Sequence, residues 1–255
     1  FFERVVLVEF VVGEARFFKQ CTDAISNLID EGTFEATSKG LTLRSMDPSQ
    51  IAMVDFTLPA DAFEKFSAED KSSFGVNLVD WGKVLARSRS GEKLTISLEE
   101  RESKCVLEFE GESKRHFRMP LLDLGGTTPQ LPKIVFDSRI KIRAGAFKAM
   151  LHDAGLLSSH VVLHTKEGAF FVEAHGDSGD LVIETKKDSA SISEFTVSTP
   201  SRAMYPFEYL DDLSKAASDD TIVEISLKND APVRVAYSVG KAELAYYLAP
   251  RVETV

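Results

Sequence analysis

Gly176-Asp177-Ser178-Gly179 is the stretch of this chain with the most evident capacity for chemistry, a glycine-flanked serine of the kind that serves as a hydrolase nucleophile. Such a serine needs a histidine as base and an aspartate to orient that histidine. The five histidines are His116, His152, His160, His164 and His175, and none stands in the Ala-Ala-His-Cys context of such a base. Asp180 occupies the place of the expected second glycine. A metal site would need Cys or His at close, repeated spacing. Cys21 and Cys105 are isolated, and His160 with His164 in a strand-like stretch make a poor pair. A phosphate loop needs Gly-x-x-x-x-Gly-Lys-Ser/Thr ahead of a helix. Gly82-Lys83 lacks the first glycine and falls inside a helical pattern. With 40 acidic residues, no single pair of carboxylates is informative. The residues specify no catalytic group, no metal and no cofactor, which leaves binding as the chemistry to explain.

Composition narrows the kind of binding. The chain has 255 residues, 44% hydrophobic and 27% charged, the make-up of one or two ordinary globular domains. No apolar run approaches the roughly 18 residues that span a bilayer, so no membrane partner is expected. The opening run Phe1 to Val12 reads as a β-strand and lacks the basic lead-in and small-residue cleavage site of a secretory signal. Two cysteines cannot build a disulfide framework, which points to a reducing, intracellular setting. The net charge of −10 argues against a protein that grips phosphates by charge alone. Contact with nucleic acid must be weak or confined to one face; otherwise the chain simply repels it.

The chain reads as a duplication. Its halves align at an offset of 128 to 130 residues: Thr37-Ser38-Lys39-Gly40-Leu41-Thr42-Leu43 on Thr165-Lys166-Glu167-Gly168-Ala169-Phe170-Phe171, and Leu94 to Leu98 on Val223 to Leu227. Phe117 falls on Tyr246, and Pro120 near Pro250. Apolar residues at three- and four-residue spacings predict four amphipathic helices, near Ala15–Asp30, Leu78–Arg89, Ala144–Leu156 and Tyr205–Ala217. Many short alternating stretches lie between them, such as Ile51–Leu58, Val106–Phe109 and Leu181–Glu184, and Gly or charged turns separate these. That pattern suits antiparallel sheet and an α+β fold, with helices packed on one face of the sheets.

Leu121-Leu122-Asp123-Leu124-Gly125-Gly126-Thr127-Thr128-Pro129-Gln130-Leu131-Pro132 joins the halves. Gly and Pro make it an extended connector. Its leucines either form a surface that partners touch or tuck under as in an ordinary loop. Two further stretches differ in charge: Glu112-Ser113-Lys114-Arg115-His116-Phe117-Arg118 is basic, and Gly176 to Glu184, with Asp180, Leu181 and Ile183, is acidic. Placed on two sheet edges, opposite charges favour head-to-tail pairing of copies, which can close into a ring. Two solvated edges with unrelated charges are the other reading.

Three stretches carry a resemblance. Gly40-Leu41-Thr42-Leu43-Arg44-Ser45-Met46-Asp47-Pro48-Ser49, the acidic-apolar connector opening Leu122-Asp123-Leu124 and the tail Tyr246-Tyr247-Leu248-Ala249-Pro250-Arg251-Val252-Glu253 resemble the proliferating-cell nuclear antigen family of DNA sliding clamps. With the duplication, the similarity covers essentially the whole chain, and the Asp-Pro loop looks archaeal rather than eukaryotic. The resemblance implies a clamp domain at 1–120, a connector at 121–134 and a second clamp domain at 135–255. It implies a non-enzymatic, DNA-associated trimeric ring of identical or paralogous subunits, with helices lining the hole and sheets outside. Such a ring holds duplex DNA topologically and tethers DNA polymerase, flap endonuclease and DNA ligase; a clamp loader must open it. A clamp-like scaffold, or one subunit of a heteromeric ring that does not encircle DNA alone, is the alternative.

Site residues follow position by position from the resemblance. The DNA-facing candidates are Arg16, Lys19, Lys83, Arg87, Lys148 and Lys215, whereas Ser26 and Ala86 stand where the family often has lysine. Family partners carry a short peptide with a glutamine, an aliphatic anchor and two aromatics. Its pocket would draw on Met46, Ile51 and Met53, on Leu131 and Pro132 of the connector, and on Pro232, Tyr247, Ala249 and Pro250. The subunit joint would use Lys114, Arg115 and Phe117 against Asp180, Leu181 and Ile183 of a neighbour.

Overall fold

Alternation of apolar and polar residues decides most of this chain, and helices interrupt it where the apolar spacing changes to three and four. The computed structural model describes residues 6–68, 72–99, 103–166 and 168–251. The first half runs β1 (Val6–Val12), α1 (Ala15–Ser26), β2 (Glu31–Thr37), β3 (Gly40–Met46), β4 (Ala52–Pro59), β5 (Lys65–Ala68), β6 (Ser72–Asn77), α2 (Leu78–Leu85), β7 (Lys93–Glu99), β8 (Lys104–Glu110) and β9 (Lys114–Pro120). The second runs β10 (Ser138–Arg143), α3 (Ala144–Gly155), β11 (His160–Lys166), β12 (Ala169–Gly176), β13 (Gly179–Lys186), β14 (Ile192–Val197), β15 (Arg202–Pro206), α4 (Phe207–Lys215), β16 (Ile222–Leu227), β17 (Val233–Val239) and β18 (Ala242–Leu248). Helices and strands follow one another in the same order in both halves, with a single 3-10 turn at Ala60–Ala62 added in the first. The expected duplication is therefore an architectural repeat. Phe1 to Val5, Glu167, Val252 and Glu253, which entered the sequence reading, lie outside the described residues.

Contacts divide the chain into two compact units. One takes the described residues of Phe1–Ser45, Val54–Pro129 and Val239–Leu244; the other takes those of Met46–Met53, Gln130–Ser238 and Ala245–Val255. The first unit holds an antiparallel sheet in the order β5-β1-β7-β8-β9 and a second layer in the order β6-β2-β3-β4. Aromatic rings bridge its layers. Phe10 of β1 meets Phe18 of α1 at 5.8 Å, Phe18 meets Trp81 of α2 at 6.3 Å, and Trp81 stacks on Phe34 of β2 at 6.1 Å. All four are almost fully buried, and each ring contributes roughly 2–3 kcal/mol of burial. The second unit has sheets in the orders β14-β10-β16-β17-β18 and β13-β12-β11-β15. Its helices bury Phe147, Leu151, Leu210 and Leu213.

The helices are shorter than their apolar spacing predicts. α1 stops at Ser26 instead of Asp30: after the cap residue Asn27 the last turn tightens, Leu28 N–H bonding the Ile25 carbonyl, and Leu28 and Ile29 are buried. α2 stops at Leu85 instead of Arg89: Arg87 N–H bonds the carbonyl of Val84 and Ser88 that of Leu85, a tightened last turn before a Ser-rich loop. α4 begins at Phe207, not Tyr205. Tyr205 pairs with Val161 in the sheet, and Pro206, with its extended ψ of 129°, is the last non-helical residue.

Candidate partner-docking site and sheet edges

Strand β3 ends at Met46, and the chain turns through Asp47-Pro48-Ser49-Gln50 before β4 begins. This turn is closed by one side chain. Asp47 accepts hydrogen bonds from the backbone N–H groups of Ser49 at 2.9 Å, Ile51 at 2.8 Å and Ala52 at 2.8 Å. It also accepts one from the Tyr209 hydroxyl of α4 at 2.8 Å. Burial pushes the Asp47 carboxyl up, but these four donors outweigh it and hold the group below its ordinary value of 3.8. The other side of the turn meets the tail. Ala249 N–H donates to the carbonyl of Ile51 at 2.8 Å, and Arg251 N–H donates to that of Met204 at 2.8 Å.

These bonds bring together Ile51 and Ala249 of the expected peptide site. Met46, Ile51, Pro232, Tyr247, Ala249, Pro250 and Pro132 are all half-buried, and Leu131 is 38% exposed. Met53 differs: it is 2% exposed, although alternation along β4 puts it on the face of the half-buried Asp55 and exposed Thr57, opposite the fully buried Ala52, Val54, Phe56 and Leu58. The connector's opening leucines behave differently from Leu131. Leu121 and Leu122 are half-buried against β6, Leu122 forms an antiparallel bridge with Gly75, and Phe74, Gly75, Leu122 and Leu124 line a groove of about 360 Å³. The sequence left open whether these leucines tuck under or face partners; the first two tuck.

The basic and acidic stretches are both edge strands of their sheets. β9 pairs within the first unit with β8, and β13 within the second unit with β12. Each strand alternates half-buried and exposed side chains. Lys114 reaches Glu110 at 3.3 Å and Glu108 at 3.5 Å on the neighbouring strand. Arg115 turns inward. Its guanidinium bonds the buried Glu92 at 2.6 Å and the Arg87 carbonyl at 3.1 Å, and lies over the Phe109 ring at 5.0 Å. Phe117 packs edge-on against Phe109 at 5.8 Å. On β13, Leu181 and Ile183 are half-buried and Val182 is 57% exposed, while Asp180 pairs with His175 at 2.8 Å.

Charges on the helices are largely matched in place. Lys19 bonds Asp23, and Lys83 bonds Asp80 at 2.8 Å. Lys148 bonds Asp219 at 2.8 Å and the Ala217 carbonyl at 2.7 Å. Lys215 bonds Asp212 at 2.5 Å and Asp211 at 3.2 Å, which raises the Lys215 pKa. Arg16 and Arg87 are exposed, and neither has a carboxylate partner among the described residues.

The serine motif has a structural explanation. Gly176 and Gly179 pair with each other as the closing pair of the β12–β13 hairpin, and His175 bonds Asp180, not Ser178. A Cβ on Gly176 would stand 1.9 Å from the Leu157 carbonyl oxygen, so glycine is required there. His164, which sequence spacing set aside as a ligand, donates to the Glu173 carboxylate at 2.7 Å and stacks on Phe171 at 4.4 Å. Burial pushes the Glu173 carboxyl up, but His164 and Arg202 hold it below its ordinary value of 4.5. Among the described residues, no three His, Cys, Asp or Glu side chains are grouped to hold a metal ion, and no helix is long and apolar enough to cross a membrane.

A duplicated α+β chain, with two helices and two antiparallel sheets per half and opposite charge on two edge strands, has the architecture of the ring clamps. The family model for the N-terminal domain of proliferating cell nuclear antigen matches residues 7–125, and that for the C-terminal domain matches residues 130–252. The chain belongs to the proliferating cell nuclear antigen family. It is 34% identical over 243 residues to the DNA polymerase sliding clamp of Methanococcus vannielii, covering 94% of this chain and 97% of that one. It is 31% identical to the DNA polymerase sliding clamp of Thermofilum pendens, over 97% of this chain and 100% of that one. Among solved structures, the A. fulgidus PCNA with the C-terminal region of FEN-1 bound superposes with a TM-score of 0.87, at 26% identity, over 97% of this chain and 100% of that one.

Proposed function

We propose that this chain is a DNA polymerase sliding clamp, a subunit of a ring that encircles duplex DNA and tethers replication and repair enzymes by a short peptide motif. The duplicated order of helices and strands, matched in tandem by both domains of the clamp family, carries this reading. The clamp domains take 1–120 and 135–255, and the connector 121–134. In a head-to-tail ring, β9 of one subunit pairs with β13 of the next, so each edge strand completes a sheet. Topological enclosure needs little phosphate affinity, which accommodates a net charge of −10 and helices whose lysines are mostly paired. The peptide site lies where Ile51 meets Ala249, flanked by Met46, Pro232, Tyr247 and Pro250, with Leu131 and Pro132 supplied by the connector. The chain contributes no catalytic group in this role. Polymerase, flap endonuclease and ligase are the expected partners, and a clamp loader is needed because a closed ring cannot thread onto DNA without an end.

Calorimetric titration with a glutamine-led peptide containing Phe-Phe tests the docking half of this reading. Wild type should bind, and Leu131→Ala with Pro132→Ala should bind less tightly while keeping its oligomeric state by light scattering. A wild-type chain that is monomeric at micromolar concentration and ignores the peptide would overturn it.

A further inference from the structure

Asp47 is 3% exposed, a degree of burial at which a carboxylate is tolerated only when its lone pairs are used. Its four donors use both oxygens. Ile51 and Ala52 bond Oδ1, whereas Ser49 and Tyr209 bond Oδ2. Asp47 also closes the turn through its backbone: its N–H bonds the Ala52 carbonyl at 2.9 Å, and its carbonyl accepts from Gln50 at 3.0 Å. Gln50 takes a φ of 59°, a left-handed conformation that a non-glycine residue holds only when its surroundings demand it. The exposed residues Pro48, Ser49 and Gln50 have no core of their own. The shape of this turn is therefore set by Asp47, through its side chain and its backbone, and Tyr209 donates to that side chain from helix α4.

The same turn delivers Ile51, whose carbonyl receives Ala249 at 2.8 Å. The geometry points to Asp47 and Tyr209 as positioning residues for the partner-peptide site. Asp47 fixes where Ile51 stands, and Tyr209 ties that anchor to helix α4. Neither residue need touch the peptide. Loss of the carboxylate frees three amide groups and lets the turn, Ile51 and the Ala249 tail relax together. Loss of the hydroxyl removes its bond to the same carboxylate and its side-chain bond to Ser49, both within this turn.

This inference rests on the docking reading above, and its test separates the two. The Phe-Phe peptide is titrated into wild type, Asp47→Ala, Tyr209→Phe and the double variant, with Asp47→Asn as the conservative replacement that keeps an acceptor at Oδ1. Asp47→Ala should weaken binding about tenfold, and Tyr209→Phe about threefold, as expected for losing several or one hydrogen bond to a charged group. The double variant should lose less than the product of the two single losses, because the Tyr209–Asp47 bond is already absent from Asp47→Ala. Asp47→Asn should recover part of the affinity. Light scattering and melting of Tyr209→Phe, which removes a single oxygen, should match wild type, so a folding defect in Asp47→Ala leaves that variant to decide. Wild-type affinity in Tyr209→Phe, or additive losses in the double variant, overturns the positioning role while leaving the docking site standing. No binding by wild type overturns both.

Discussion

Leu122 donates its backbone N–H to the carbonyl of Gly75 at 2.8 Å, and so the start of the connector lies directly on strand β6. A Cβ at Gly75 would stand 2.4 Å from the Leu122 carbonyl oxygen and 3.0 Å from Leu124 Cγ. The contact is backbone to backbone, so no side-chain rotation relieves it. Gly75→Ala should lift the connector's opening leucines off β6 and cost roughly 1–3 kcal/mol in denaturant unfolding. Chymotrypsin cleavage after Leu121, Leu122 or Leu124 should quicken at the same time. Wild-type stability with wild-type cleavage would mean that the bridge contributes nothing.

The two cations at the start of β9 have different tasks. Lys114 is exposed and bonds two carboxylates of its own sheet edge, whereas Arg115 is bound to a buried glutamate, Glu92. Surface pairs are worth little, but removing the partner of a buried charge is costly. Arg115→Ala should therefore lower subunit stability by about 2 kcal/mol or more. Lys114→Glu should leave melting near wild type and weaken self-association, most visibly at low salt. Sedimentation of both variants over a concentration series distinguishes them. Equal effects of the two on assembly alone would refute the division.

Much of this was legible from residue types alone. The apolar spacing of Phe17, Cys21 and Ala24 marks α1, and the offset that places Phe117 on Tyr246 marks the repeat, because packing repeats the same periodicities in both halves. Helix ends were less legible. Pro206 and the Ser-rich run after Leu85 stop helices through backbone bonding, which apolar periodicity does not record. The inward turn of Arg115 was hidden for a related reason. Strand alternation assigns it a face, but only the fold places Glu92, 23 residues earlier, beneath it. Asp47 and Tyr209, 162 residues apart, carry no local signal of being partners at all.

Acid should act on the second unit through its lowered carboxylates, with Asp47 and Glu173 ahead of the more exposed Glu194 and Asp219. Asp47 and Glu173 both sit below their ordinary values of 3.8 and 4.5, held there by hydrogen bonds that outweigh burial. Near and below those values the unfolded chain binds more protons than the folded one at these groups. Their stabilisation is complete above the ordinary carboxylate range and is lost as pH falls through the lower folded values. Denaturant unfolding should thus show stability falling most steeply below about pH 4. Glu173→Gln should flatten part of that fall, since the amide cannot titrate. An unchanged slope in the variant would remove the Glu173–His164 pair from the acid response.

The last expectation concerns DNA. Four of the six cations assigned to the bore are neutralised by a carboxylate: Lys19 by Asp23, Lys83 by Asp80, Lys148 by Asp219, and Lys215 by Asp211 and Asp212. A lysine already paired gains less from a phosphate, because the existing pair must first be broken or shared. Arg16 and Arg87 face no such competitor among the described residues, and a guanidinium offers phosphate a two-point contact that lysine lacks. The double variant Arg16→Ala, Arg87→Ala should therefore shorten the lifetime of loaded rings on nicked circular DNA. Lys83→Ala with Lys215→Ala should change it much less, although both variants remove the same formal charge. Retention measured across a salt series is the decisive readout. Few phosphates are contacted at once, so the wild-type dependence should be shallow, and loss of the two arginines should make it shallower by up to about two counterions. Equal effects of the arginine and lysine pairs would show that net charge alone governs the bore, and that the pairing seen on the helices is broken whenever DNA is inside.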